Sequence, residues 1–490
     1  MSSARKKRPI SSLWLYRYRF YILQAILAIG FAGLLVAIAF NSLGSISDAE
    51  MASAVDSSNL TWNGLLHGDI INLPFRLLQS LSIRTFGLTV LAVKLPSLIL
   101  AAITGFFLIL LINRWHKTNV AVIATLLAVP SAIFLGTAVS GTPAIMAILF
   151  PTIILWLGSK LVGVKNPSPV AAFALVAMLA LTCYTPYFVY AVLSIPLLAL
   201  THPHLRLAIR RFGTFKLILL LCTFALFASP IAISVFTNFS TIKNLFVPGD
   251  LAVETLINNF TTVSHTLTQF TSAYPSPVLQ PILGISLTLV ALVGVVSVFP
   301  DRHASRYRVT TALLFFAVVT SVFDPSYVVT FFLPIAILIA AGINFILREW
   351  YSLFPHNPYP RVIGGLFVLA FAWAIIASNV TFFILAPHHI QSVNAAQNYQ
   401  LPVLNQRLED GAQIIVSSEQ LDFYRILEKK HDVRIMDAIP EEPEGTFLVL
   451  RLPDIIPSNF EITQIITGDT YQNADLLYIY SVKTEESVVE

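Results

Sequence analysis

Apolar stretches of about 20 residues recur from the start of the chain to about residue 385, and each is long enough to cross a bilayer core of about 30 Å as a helix. This repetition constrains the chain more than any other feature. A helix that is apolar on every side has to sit in lipid or among other helices. Only 11% of the 490 residues are charged, against roughly 25% in a soluble domain. That is too little charge to cover a water-facing surface, so a soluble enzyme and a disordered chain are both excluded. Eleven spans are expected, at 20–42, 88–113, 119–137, 142–160, 168–184, 186–201, 215–237, 279–299, 307–323, 327–347 and 362–384. The pair 168–184 and 186–201 is short and splits at Tyr184-Thr185-Pro186-Tyr187, so two short spans or one re-entrant hairpin fit equally.

Charge placement gives the orientation. Before residue 388 there are 23 basic residues, and nineteen of them lie in or beside the alternate segments 1–19, 114–118, 161–167, 202–214, 300–306 and 348–361. Lys and Arg accumulate on the cytoplasmic side, so these segments, including the N-terminus, are expected there. Arg5-Lys6-Lys7-Arg8 followed by a long apolar run reads as a retained first span rather than a cleaved signal. The expected location is the plasma membrane, multi-pass. Residues 388–490 hold 7 basic and 17 acidic residues and read as a separate, acidic, extracytoplasmic body. A helix is expected within 393–410 and another over Leu421–Lys430. Strands are expected at Ala412–Val416, Val433–Met436, Thr446–Leu452, Glu461–Ile466 and Leu476–Val482. The fold class expected is therefore an all-α polytopic membrane protein of about 11 transmembrane helices over residues 1–387, with outer loops 43–87 and 238–278, followed by a small C-terminal α/β or α+β domain.

Chemistry has to come from the few polar residues left. Residues 1–387 contain nine acids, four of them in 43–87. Asp48 and Glu50 follow the first span at headgroup depth, where a carboxylate facing a cavity acts as a general base or binds a cation. Ser47-Asp48-Ala49-Glu50 also fits a capping box, with Ser47 as N-cap and Glu50 reaching back to it; spacing alone leaves both readings open. Before residue 388 the outer side carries only four basic residues, Arg76, Arg84, Lys94 and Lys243. Cations at that depth suit a lipid phosphate, or simply snorkel. Asn72–Leu78 reads as an amphipathic helix on the membrane with Arg76 on its rim. His388-His389 are adjacent and point different ways on a helix, so they make no metal site. The two cysteines, Cys183 and Cys222, lie in apolar runs and match no metal motif. No Gly-rich phosphate loop or nucleophile elbow is present, and nothing points to nucleic acid.

Four features resemble membrane glycosyltransferases of the GT-C class, in the group of protein O-mannosyltransferases and aminoarabinose (lipid A) transferases. Ser47-Asp48-Ala49-Glu50 is similar to that group's acidic motif after the first span. His67-Gly68-Asp69-Ile70-Ile71-Asn72-Leu73-Pro74 is similar to its interfacial stretch with an internal Pro. Phe86-Gly87 followed by Ala92-Val93-Lys94-Leu95-Pro96-Ser97 resembles the block leading into the second span, with Lys94 where Arg is usual. Tyr327 to Ala341, with Phe332-Leu333-Pro334, resembles a late span. The resemblance implies a polyprenyl-phosphate-linked sugar as donor and a glycan, lipid or protein hydroxyl as acceptor. It implies inversion at the anomeric carbon, Asp48 as base, Glu50 as helper, and Lys94 or Arg84 neutralising the leaving phosphate. No cofactor is implied, and a divalent cation is left undecided. The chain departs from the group in two places: Ala49 separates the two acids, and Ser140-Gly141-Thr142-Pro143 lacks the second acid that many members carry at the start of the fourth span. A lipid-linked saccharide flippase and an inactive scaffold of the same fold are the competing readings. Transporters tend to carry mid-membrane charges and repeated halves; here the acids cluster at one interface.

Overall fold

The computed structural model describes residues 29–37, 45–61, 70–161, 168–201, 213–246, 252–268, 284–300, 304–354, 358–389, 398–409, 411–437, 446–450, 460–467 and 475–482, with Gly64 and a few single positions before residue 29. Arg5–Arg8, Asp69, Lys165, Arg206, Arg210, Arg211, Asp250, Asp301 and most of the rest of the first expected span lie outside the described residues.

The chain is mostly helical. Two helices follow the first span, α1 (Asp48–Ser58) and α2 (Leu73–Phe86). Next come α3 (Val90–Trp115), α4 (Thr118–Ala128), α5 (Ala132–Val139), α6 (Met146–Leu161), α7 (Pro169–Thr182), α8 (Phe188–Thr201) and α9 (Thr214–Thr237). The short α10 (Ser240–Phe246) and α11 (Val253–Thr268) precede α12 (Gly284–Val298), α13 (Ser305–Phe323), α14 (Phe332–Leu353) and α15 (Pro358–His389). Five described helices are long and apolar enough to cross a membrane, six if α4 and α5 form one bent span, and three apolar helices are shorter. Among the described residues helices thus occupy the expected apolar stretches, five or six of them long enough to count as crossings by length and composition.

One expected span is corrected. The stretch 119–137 is not a single rod, because α4 and α5 meet at 66°. The break falls at Val129-Pro130-Ser131: Pro130 has no N–H to donate to the helix ladder, and Ser131 closes a turn by donating to the Ala128 carbonyl at 3.1 Å.

The bundle is built around α3, α6 and α14, whose side chains fill one apolar cluster. Gly294 on α12 and Gly342 on α14 let two backbones touch. A Cβ at Gly294 would sit 2.0 Å from the Leu338 carbonyl oxygen, and one at Gly342 would sit 2.3 Å from that of Val290. Small residues allow such approach in membrane bundles. By contrast α9 exposes Phe215, Leu221, Leu226 and Phe236, the surface of a helix facing lipid.

Helix α2 reverses the expected amphipathic arrangement. Arg76, Gln79, Ser80 and Ser82 are buried, while Leu77, Leu78, Leu81 and Phe86 are exposed. Arg76 is therefore not on a membrane rim. It faces the protein and donates to the Asp56 carbonyl. The leucines face outward, as lipid-facing side chains do, and the polar residues find partners inside.

The C-terminal region forms a five-stranded sheet of order β2-β1-β3-β5-β4, with β1 (Gln413–Ile415), β2 (Arg434–Met436), β3 (Thr446–Val449), β4 (Phe460–Thr467) and β5 (Asp475–Val482). Strand β1 pairs parallel with β2 and β3, and β5 pairs antiparallel with β3 and β4. The helix expected over 421–430 is one α turn, Leu421–Tyr424, followed by a 3-10 turn. This sheet shares its apolar core with the start of the bundle: Ile46, Met51, Ala54, Ile83 and Val93 pack with Leu401, Leu404, Tyr424 and Leu448. Ile46 and Asn398 exchange two backbone hydrogen bonds, at 2.9 and 2.7 Å, and the Lys429 ammonium donates to the Ser58 carbonyl at 3.0 Å.

Candidate active site

The site begins with the N-terminus of α1. Ser47 is extended at φ −92° and caps the helix in a complete capping box. Its N–H donates to Glu50 Oε2 at 2.8 Å, and the Glu50 N–H approaches Ser47 Oγ at 3.4 Å. The capping reading of Glu50 is thus realised, and the same side chain also enters a larger network. Glu50 Oε1 accepts from the Gly141 N–H at 2.7 Å and faces Lys94 Nζ at 3.6 Å, both side chains being 4% exposed. A buried carboxylate persists as an ion only with such partners. Glu50 has a cation on one oxygen, a backbone donor on each, and its own helix N-terminus beneath it.

Gln79 ties the surrounding elements together. Its Oε1 accepts from Ser53 Oγ at 2.8 Å and Ser57 Oγ at 2.7 Å. Its Nε2 donates to the carbonyls of Val93 at 3.0 Å and Gly141 at 2.8 Å. One amide therefore fixes α1, α2, α3 and the Ser140–Thr142 turn together. Gly141 is required at this turn: a Cβ there would lie 2.8 Å from Val93 Cγ1 and 3.0 Å from the Val93 carbonyl oxygen. Ser82 Oγ adds a bond to the Ala92 carbonyl at 2.7 Å.

The six residues singled out in the sequence divide into two sets. Glu50, Lys94 and Arg76 are buried; the first two form the ion pair, and Arg76 ties α2 to α1. Asp48, Arg84 and Lys243 are exposed. Asp48 lies in the first turn of α1, two residues from Glu50, so the two acids share one helix end in opposite environments. Among the described residues no group of three or more His, Cys, Asp and Glu converges to hold a metal ion.

Gln79 and Gly141 were missed by sequence reasoning. A signal for Gln79 did exist: Arg76, Gln79, Ser80 and Ser82 are polar residues spaced among the leucines of α2. Gly141 was noted only as the place where an acid is lacking. The structure puts its N–H on the Glu50 carboxylate, where a second carboxylate would meet a like charge.

Beside this network lies an aromatic cluster. The Tyr184 carbonyl accepts from the Asn72 N–H at 2.8 Å, and the Tyr187 N–H donates to the Leu245 carbonyl at 2.9 Å. Tyr187 stacks on Phe323 at 6.1 Å and meets Tyr327 edge-on at 5.1 Å. The 3-10 helix Pro325–Phe331 that carries Tyr327 packs against the one at Pro143–Ile145, just beyond Gly141.

No family model matches the sequence, and no curated protein matches it. Among solved structures, the chain is similar to ArnT from Cupriavidus metallidurans bound to undecaprenyl phosphate. The TM-score is 0.50 at 12% identity, with 93% of this chain and 98% of that one covered. The same protein in its apo state is similar at a TM-score of 0.48 and 12% identity, over 92% of this chain and 97% of that one. The likeness is one of fold, and it is the GT-C fold that the motifs around Asp48 and Lys94 resemble.

Proposed function

We propose that the chain is a membrane glycosyltransferase that moves a sugar from a polyprenyl-phosphate-linked donor to an acceptor hydroxyl at the outer membrane face. Asp48 takes the proton from the acceptor hydroxyl. The freed oxygen attacks the anomeric carbon from the face opposite the phosphate, so the configuration inverts and the lipid phosphate departs. The leaving phosphate is stabilised by cations.

The observation that carries this reading is the different fate of two carboxylates on one helix turn. Glu50 is consumed by Lys94, Gly141 and Ser47 and acts as a helper that fixes the helix, leaving the exposed Asp48 for chemistry. Lys94 is engaged by Glu50, so of the four outer basic residues before residue 388 Arg84 and Lys243 are the ones left exposed for a phosphate. The likeness to a fold whose crystal structure holds undecaprenyl phosphate supports a polyprenyl donor. In this reading residues 388–490 form the extracytoplasmic domain and the N-terminus is cytoplasmic.

The test is transfer from a polyprenyl-phosphate hexose or pentose by the purified protein and its Asp48→Asn variant. A general base contributes about 10²–10⁴-fold, so turnover is expected to fall by at least about 10². Equal turnover would remove Asp48 from the mechanism. Rapid flipping of labelled lipid-sugar in liposomes, without transfer, would assign the fold to transport instead.

A further inference from the structure

Tyr187 combines two costly features. It is 2% exposed, yet among the described residues its hydroxyl has no hydrogen-bond partner, although a buried polar group normally finds one. Its backbone sits at φ +65°, the left-handed region that a bulky L-residue rarely enters. Strain of this kind persists where the surroundings hold it, and it clusters at ligand sites. Here the Leu245 carbonyl accepts from the Tyr187 N–H, and the Tyr187 carbonyl accepts from the Tyr190 N–H. The conformation therefore places a phenol against Phe323 and Tyr327 without giving its oxygen a protein partner.

The surroundings define a ligand chemistry. Asp324 follows Phe323, the ring stacked on Tyr187, and its carbonyl accepts from the Tyr327 N–H at 3.0 Å. One of its oxygens caps the following 3-10 helix through the Ser326 N–H at 2.9 Å. Asn259 on α11 holds the end of α13 just before it, donating to the carbonyls of Val322 and Phe323 at 3.1 and 3.2 Å. The cluster thus offers aromatic faces, phenols and a positioned carboxylate. An inorganic phosphate would meet the negative charge of Asp324. A sugar ring presents C–H faces to aromatics, hydroxyls that donate to a carboxylate, and hydroxyls that pair with a phenol. Two contacts join the cluster to the segments around Glu50: the Tyr184 carbonyl accepts from the Asn72 N–H at the start of α2, and the Tyr327 turn packs against the 3-10 turn just beyond Gly141.

We infer that Tyr187, with Asp324 and Tyr327, forms a subsite for the sugar ring of a lipid-linked saccharide, the Tyr187 hydroxyl bonding a ring hydroxyl. The inference deepens the transferase reading by assigning recognition of the donor's sugar to residues outside the Glu50–Lys94 network. A site built to bond a hydroxyl discriminates strongly against ligands lacking it.

The experiment compares binding of polyprenyl-phosphate hexose and of sugar-free polyprenyl phosphate to the purified full chain, for wild type and Tyr187→Phe. Wild type is expected to prefer the glycosylated lipid. Tyr187→Phe is expected to lose about 5–20-fold of that preference, the scale of one hydrogen bond, with sugar-free lipid bound as before. Its melting temperature should stay level or rise, because the hydroxyl bonds nothing in the empty protein. A variant that keeps the full preference, a wild type that binds both lipids equally, or a marked fall in melting temperature would each overturn the subsite. If wild type prefers the glycosylated lipid and the variant loses that preference, yet no sugar is ever transferred, the subsite stands and the transferase reading falls.

Discussion

Replacing Lys94 by Met leaves Glu50 buried beside a hole where its counter-ion stood. At the observed 3.6 Å, two unit charges attract by about 4–5 kcal/mol at an effective dielectric near 20. The carboxylate keeps its backbone donors, Gly141 at 2.7 Å and Ser47 at 2.8 Å, and these offset some of the loss. Removing one member of a buried pair typically costs about 3–5 kcal/mol, and with those donors retained a loss of about 3 kcal/mol is expected for Lys94→Met. Glu50→Gln should cost a similar amount by orphaning the ammonium. The double variant Glu50→Gln, Lys94→Met carries no buried charge, so its loss should fall short of the sum by at least about 1 kcal/mol. The assay is a double-mutant cycle, reading equilibrium unfolding of the purified proteins in mixed micelles. Losses that add to within about 0.3–0.5 kcal/mol would refute the reasoning, since the two groups would then not be stabilising each other.

Other outcomes follow from the same structure. Gly141→Ala introduces a methyl 2.8 Å from Val93 Cγ1; it should displace the N–H from Glu50 and lower transfer, while Ser140→Ala, one residue away, leaves turnover close to wild type in the same assay. Gly342→Ala has to push α12 away from α14, because its methyl would lie 2.3 Å from the Val290 carbonyl oxygen. Overpacking of this kind costs about 1–3 kcal/mol, readable as a lower melting temperature. Burial first, and then the Arg306 guanidinium, hold His116 down to about 4 from 6.5. Its contribution is complete above about pH 6.5 and is lost as pH falls toward 4, at most about 3 kcal/mol. A His116→Gln protein should lack that share of the acid-dependent loss in a pH series of unfolding measurements.

The membrane class and the C-terminal strands were legible because both rest on periodicity, which local sequence carries. Glu50 was legible as a cap because a capping box spans only four residues. Its other partner was not, since Gly141 lies 91 positions away and contributes a backbone N–H that no residue type announces. Arg76 was assigned the wrong face for a physical reason. An amphipathic helix shows two faces whatever surrounds it, and only the neighbours decide which one meets lipid. The bend between α4 and α5 was marked by Pro130, but proline is common in membrane helices and its effect depends on whether the freed groups find other partners. Tyr187 was legible only as part of the break at Tyr184–Tyr187; its left-handed backbone was not, because the bond that holds its N–H comes from Leu245 on a distant segment.

The seam between the sheet and α1 is poorly suited to yield. Opening it would break the two-bond bridge at Ile46 and Asn398 and wet Met51, Ala54, Leu401 and Tyr424. That wall behaves as a door frame, and Asp48 is mounted on it. Motion elsewhere in the bundle would therefore leave that carboxylate where it stands.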